Sequence, residues 1–317
     1  MQMVARIQPL RQSGCLRRFL ATIQSHKAWG WTGLCVYACA VTFPHQQVQD
    51  VVGHLAERFT LKRLYQASVA LALIEGVALT ALFFVYARHL QGKAPRRWLT
   101  SYWLLSFSVM VATWRLFTAN NTELVHYPQY FPEGVALLAL TLSAADSIAW
   151  ITLFAAFDEG FQYVFLMRGR AAPFDFNDVY MDLAGAAAGI VFAMAVLGCE
   201  RSAVDRGWAK RILTKPGIIL NLAIVVSGIA LWASGKMALY DAPGSSDYWF
   251  SLSRLSTPTF WYFSPVILGP HHFHELSPVE GPILIISTIA LFALLDRNLR
   301  ISSPILAARD RPEFRRK

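Results

Sequence analysis

Charged side chains are scarce in this sequence. Only 15% of its 317 residues are Asp, Glu, Lys or Arg, against about 25% in a soluble domain. The deficit comes in blocks, long apolar runs alternating with short polar stretches, which excludes an ordinary soluble fold. Cysteine is scarce too. The four cysteines make no disulfide framework: Cys35 and Cys39 sit inside an apolar run, Cys15 and Cys199 in basic segments. They read as small apolar residues and free thiols. Internal repeats, low-complexity tracts and a soluble domain of useful size are missing. So are a Gly-rich phosphate loop, an H-E-x-x-H pair and a nucleophile elbow, which leaves three common chemistries without a motif.

Hydrophobic residues make up 55% of the chain. Apolar runs cover 28–43, 66–87, 98–118, about 128 to 167, 178–198, 217–235 and 281–296. Lipid offers no partner to a free backbone N–H or C=O, so each run must be helical. The run of about 40 residues is twice the length that one span needs. Ser143, Ala144, Ala145 and Asp146 offer a turn in its middle, giving 128–142 and 147–167 and eight spans in all.

Charge tests that division. With eight spans, both termini are cytoplasmic and the inner segments hold 21 of the 29 Lys and Arg, the outer segments 7. Arg115 lies within a span. Seven spans would turn the basic loop 199–216 outward, against the positive-inside rule. The same rule accounts for the net charge of +9 without nucleic acid, because the basic residues cluster between apolar runs. Residues 1–28 are polar and basic with no early apolar core, so the first run is expected to be an uncleaved anchor.

The expected fold is therefore all-α, a polytopic transmembrane bundle of about eight spans. Its parts are a basic segment 1–28, transmembrane helices 29–118, a helical core 119–198 and a C-terminal pair 199–317 with a basic tail. The loop 236–280 is rich in aromatics and is expected to lie in or re-enter the membrane interface.

This topology gathers polar residues at one depth. Asp158, Glu159 and Gln162 fall in the outer half of 147–167. Glu123, His126 and Tyr130 stand at the outer entry of the preceding span, and Arg168 and Arg170 follow the exit of 147–167. Asp175 and Asp178 mark the outer start of the next span, with Asp182 one turn deeper and Gly185 and Gly189 allowing close helix packing. A charge inside a span costs a few kcal/mol even on lenient scales. Adjacent carboxylates also repel unless cations or protons compensate, and Arg115, Arg168, Arg170 and His126 are the cations at hand. The cluster reads as an outward polar site for a headgroup, or as an ion-pair network tying spans together.

Over roughly residues 100–198 the chain resembles the VanZ-like family of teicoplanin-resistance-associated membrane proteins. The likeness is carried by E-L-V-H-Y-P-Q-Y (Glu123, His126, Tyr130), D-E-G-F-Q (Asp158, Glu159, Gln162), R-G-R (Arg168, Arg170) and D-V-Y-M-D-L-A-G-A-A-A-G (Asp178, Asp182, Gly185, Gly189). The family usually has Asn where this chain has Asp182. Pro128 and Pro132 are expected to interrupt the helix carrying His126 and Tyr130. The resemblance implies a bacterial inner-membrane location and an outward polar site, but no general activity.

The expected partner is a membrane lipid, with binding of an envelope lipid by Glu123, His126, Tyr130, Asp158, Glu159, Gln162, Arg168, Arg170, Asp178 and Asp182. In that reading the arginines hold anionic groups. The alternatives are an accessory subunit docking other membrane proteins through 236–280, and an enzyme acting on a lipid-linked substrate. No cofactor is expected. His271, His272, His274 and Glu275 are weak candidates for a metal, and Glu75, in the middle of 66–87, for an ion path.

Overall fold

The computed structural model describes residues 14–202, 207–241, 248–255, 260–264 and 271–302. The basic residues 1–13 and 303–317, on which the placement of the termini rests, lie outside the described residues, as do parts of the loop 236–280.

The described chain is dominated by helices: α1 (Cys15–Ser25), α2 (Lys27–Thr42), α3 (His45–Phe59), α4 (Leu61–Ala87), α5 (Lys93–Leu116), α6 (His126–Thr141), α7 (Ala144–Phe161), α8 (Phe176–Leu197), α9 (Trp208–Leu213), α10 (Pro216–Ala233) and α11 (Glu280–Asn298). A 3-10 turn, Asn121–Val125, leads into α6, and a π turn, Gln162–Leu166, prolongs α7. Each apolar run of the sequence is largely helical, the long run 128–167 being divided between α6 and the prolonged α7. Three of them, α4, α8 and α10, are long and apolar enough to cross a membrane. α2 and α6 have 16 residues each, and α5 carries Arg96, Arg97 and Arg115. The helix α3 was not anticipated; it lies in a segment expected to be an outer loop.

Short strands close the two ends. They are β1 (Cys199–Arg201), β2 (Met237–Ala238), β3 (Phe250–Ser251), β4 (Trp261–Ser264), β5 (His271–His274) and β6 (Leu299–Ile301). β1 pairs antiparallel with β6, β2 parallel with β3, and β4 antiparallel with β5.

α8 is the axis of the bundle. All of its 22 residues except Asp178 and Tyr180 are buried, and α4, α5, α6, α7 and α11 pack round it. Its closest partner is α6, because the contact is made by glycine. A Cβ on Gly189 would overlap the Phe131 carbonyl, and a Cβ on Gly134 of α6 would overlap the Ala186 carbonyl. Small residues let two helix backbones touch, as at the close helix contacts of membrane proteins. By contrast α4 and α10 expose apolar side chains along most of their length, among them Leu71, Ile74, Val77, Ile224 and Val226.

Pro128 and Pro132 do not interrupt α6, contrary to expectation. Pro128 falls in the first turn, where its missing N–H has no intrahelical partner anyway, and the helix continues through Pro132. His126 and Tyr130 therefore share one helix face.

The turn expected at 143–146 is present. Leu142 ends α6 in the left-handed region at φ 55°, and the Ser143 hydroxyl accepts from the Asp146 amide at 3.3 Å. Asp296 of α11 completes the cap. Its carboxylate accepts from the Ser143 hydroxyl at 2.7 Å and from the amides of Ala144 and Ala145 at 2.8 and 3.0 Å. A carboxylate at a helix N-terminus satisfies orphan donors and complements the dipole. Asp146 serves α10 likewise, accepting from the Gly217 amide at 2.9 Å.

Candidate functional site

At the end of the bundle where α6 begins, α7 finishes and α8 begins, the polar residues converge. His126 is the hub. Its Nδ1 lies 2.8 Å from Asp182 Oδ1 and its Nε2 3.4 Å from Asp178 Oδ2. An imidazolium between two carboxylates donates to both. Asp178 and Asp182 are one turn apart on α8, so both reach the ring. Tyr130, one turn along α6, donates its hydroxyl to Asp158 Oδ2 at 3.3 Å. Gln162 donates to Glu159 Oε1 at 2.7 Å. Gln162 opens the π turn, whose extra residue per turn re-aims side chains and often marks functional positions.

The cluster is enclosed: Asp158, Glu159 and Asp182 expose 2, 3 and 0% of their surfaces. Four buried carboxylate oxygens nearby have no hydrogen-bond donor: Asp158 Oδ1, Asp182 Oδ2, and both of Glu133. Glu133 was missed in the sequence. It lies on α6 three residues after Tyr130 and seven after His126, and that spacing alone puts it on their face. Thr42 and His45, where α2 turns into α3, lie beside Asp158. No spacing could have shown this, because the contact joins segments more than 100 residues apart.

Glu123, an expected site residue, and Asp175, just before α8, have structural duties at the rim. Glu123 caps the 3-10 turn, accepting from the Ala119 and Asn120 amides at 2.9 and 3.2 Å and from the Asn120 side chain at 2.6 Å. Asp175 caps α8, accepting from the amides of Asn177 and Asp178 at 2.9 and 3.2 Å. Burial, aided by the charges of Asp178 and Asp175, pushes the Glu123 carboxyl up to about 8. Burial and Asp178 push Asp175 up to about 8 as well.

Both groups therefore bind protons more tightly in the folded chain than in the unfolded one. Their contribution to stability is full below the ordinary carboxylate range and is lost as pH rises towards about 8. The expected result is a lower unfolding temperature at pH 8.5 than at pH 5.5. The slope should flatten in Glu123→Gln/Asp175→Asn, whose amides keep the caps. Thermal scans in detergent at the two pH values check this, and an undiminished slope in the double variant would refute it.

The arginines stand elsewhere. Arg168 and Arg170 are exposed, and Arg170 only approaches the Met167 sulfur, at 3.8 Å. Arg115 lies over the Trp114 ring. Among the described residues no arginine or lysine makes an ion pair with the carboxylates of the cluster. The structure does not bring the expected cationic half of the site to its acidic half.

The described parts of the segment 236–280 fold over this end. Arg254, which the sequence reading passed over, donates to the Met167 and Tyr163 carbonyls at 2.7 and 3.0 Å and lies over the Tyr163 ring. It caps the C-terminal carbonyls of the prolonged α7. Asn177 donates to the Phe117 and His274 carbonyls at 3.0 and 2.8 Å, joining α5, α8 and β5. The histidines of β5 are dispersed. His271 faces the Thr118 carbonyl, His272 the Phe263 ring, and His274 Glu280. Burial raises the Glu275 carboxyl. Among the described residues no group of three or more His, Cys, Asp and Glu is placed to hold a metal ion. No protein-family model, no curated protein and no solved structure matches the chain.

Proposed function

We propose that the chain is a VanZ-like, multi-pass protein of a bacterial cytoplasmic membrane, with about eight spans and both termini inside. The His126 cluster then lies at the outer end of the bundle and holds the polar head of an amphipathic envelope lipid. One observation carries this reading: beside the His126 imidazole, which meets only Asp178 Oδ2 and Asp182 Oδ1, four buried carboxylate oxygens have no donor, and among the described residues no arginine or lysine pairs with them. Buried unpaired acceptors are costly, and intramembrane ionisable residues default to function. The group that best satisfies them donates hydrogen bonds and carries positive charge. The preferred headgroup is thus an ammonium rather than the anionic group that Arg168 and Arg170 suggested. The order of the H-Y, D-E-x-x-Q and D-x-x-x-D-x-x-G motifs supports the same reading.

Native mass spectra of the protein in mild detergent test the proposal. An amine-headed lipid should accompany the wild type and be lost from Asp158→Asn/Glu159→Gln. A bare wild-type chain would count against it. The exposed rings of Trp249, Trp261 and Phe263 on the outer loop favour a second reading, a subunit docked through that loop. In that case protein partners should accompany the chain, indifferent to the cluster variant.

A further inference from the structure

A second site lies on the other side of α6. The face of α6 that carries His126, Tyr130 and Glu133 looks into the acidic cluster. Tyr127, Pro128 and Phe131, on a different face, line a cavity of about 580 Å³ bounded by α4, α5, α6 and α8. Leu73, Leu79, Phe84, Phe107 and Met110 make most of its wall apolar. A mostly apolar pocket of this volume suits a hydrocarbon chain, with few polar groups fixing its orientation.

The polar groups of the wall are already engaged, with one exception. Tyr127 shares its hydroxyl with Thr113 at 2.7 Å and donates to the Met110 carbonyl at 2.9 Å. Trp114 donates to Asn121 at 3.0 Å, and Thr80 accepts from Trp103 at 3.3 Å. Glu75 also lines the cavity, and no hydrogen bond or ion pair engages it among the described residues. It is the fifteenth of the 27 residues of α4, midway along a helix able to cross a membrane. A carboxylate at that depth calls for a partner, and the cavity is where one fits.

From this geometry we infer that the cavity binds a long-chain lipophilic molecule carrying one hydrogen-bond donor, an ammonium or a hydroxyl, which meets Glu75 near mid-depth. The hydrocarbon packs along Leu73, Phe84, Phe107 and Phe131. Ligand enters from the side, where α4 presents Leu71, Ile74 and Val77 outward. This site does not depend on the acidic cluster, so either can fail alone.

Photolabelling of the full chain in lipid nanodiscs tests the inference. The probes are hexadecylamine, hexadecanol and hexadecane, each bearing a diazirine, with the label mapped by peptide mass spectrometry. A donor group is expected to raise labelling of α4 and α5 by about tenfold over the hydrocarbon, as one hydrogen bond to a charged group would. A preference for amine alone assigns an ammonium ligand, and a shared preference assigns a hydroxyl-type donor. Glu75→Leu should abolish the preference, and Ala72→Trp should lower labelling by all three probes by filling the cavity. Should Glu75→Leu fail to fold, Glu75→Gln should lose the preference for amine and keep that for alcohol. Equal labelling by hexadecane, or label spread along α10 and insensitive to both substitutions, would overturn the inference.

Discussion

Gly189→Leu is expected to abolish recovery of the folded chain, while Gly160→Ala leaves it unchanged. Gly189 stands where α8 touches α6, and even a methyl group there would overlap the Phe131 carbonyl. The obstacle is backbone, which cannot swing aside as a side chain does. Overpacking a core ordinarily costs about 1–3 kcal/mol, and separating two helices at their axis costs more. The separation also pulls His126 on α6 away from Asp178 and Asp182 on α8, leaving buried carboxylates without their imidazole. Gly160 on α7 has open space around it, so alanine there gains helix propensity and meets nothing. Size-exclusion profiles and thermal unfolding in mild detergent compare the two. A monodisperse Gly189→Leu with a wild-type unfolding temperature would show that the contact between α6 and α8 is not the axis of the fold.

The helices were legible because an apolar run long enough to cross a membrane can satisfy its backbone only by closing its own hydrogen bonds. Each apolar run had to close its hydrogen bonds on itself, and the turn at Ser143–Asp146 was readable from polar residues within a run too long for one span. The cap that Asp296 provides from α11 was not readable, since it joins residues about 150 positions apart. Helix α3 escaped because its residues are as polar as a loop and none of them is buried. Its apolar side chains, Val48, Val51, Leu55 and Phe59, stay exposed, as on a helix lying along a membrane surface.

The site divides in the same way. Residues on one helix face followed from spacing, as with Asp178 and Asp182, and Glu133 was within reach of the same argument. The pairing across helices did not follow. Charge alone suggested that Arg168 and Arg170 neutralise the acidic pair, yet both leave the bundle after the π turn and point outward. His126 takes the place they were expected to fill. Pro128 misled because it sits in the first turn of α6, where its missing N–H has no intrahelical partner; Pro132 lies inside α6, and the helix runs through it.

On the function proposed above, the buried acidic cluster recognises a hydrogen-bond-donating, cationic headgroup. Asp158→Asn/Glu159→Gln should therefore fold, since amides of the same shape need no compensating cation, but should lose the ligand. A group bonded to a buried carboxylate contributes about 1.5–3 kcal/mol, so the expected loss of affinity is at least tenfold. A ligand that binds only the folded chain raises its unfolding temperature in proportion to its occupancy.

The most direct measurement is the unfolding temperature of the wild type and this variant in nanodiscs of phosphatidylcholine doped with phosphatidylethanolamine or with phosphatidylglycerol. Phosphatidylethanolamine is expected to stabilise the wild type, phosphatidylglycerol is not, and the variant should be indifferent to both. Equal stabilisation by the anionic lipid, or a response to phosphatidylethanolamine that survives in the variant, would contradict the proposal.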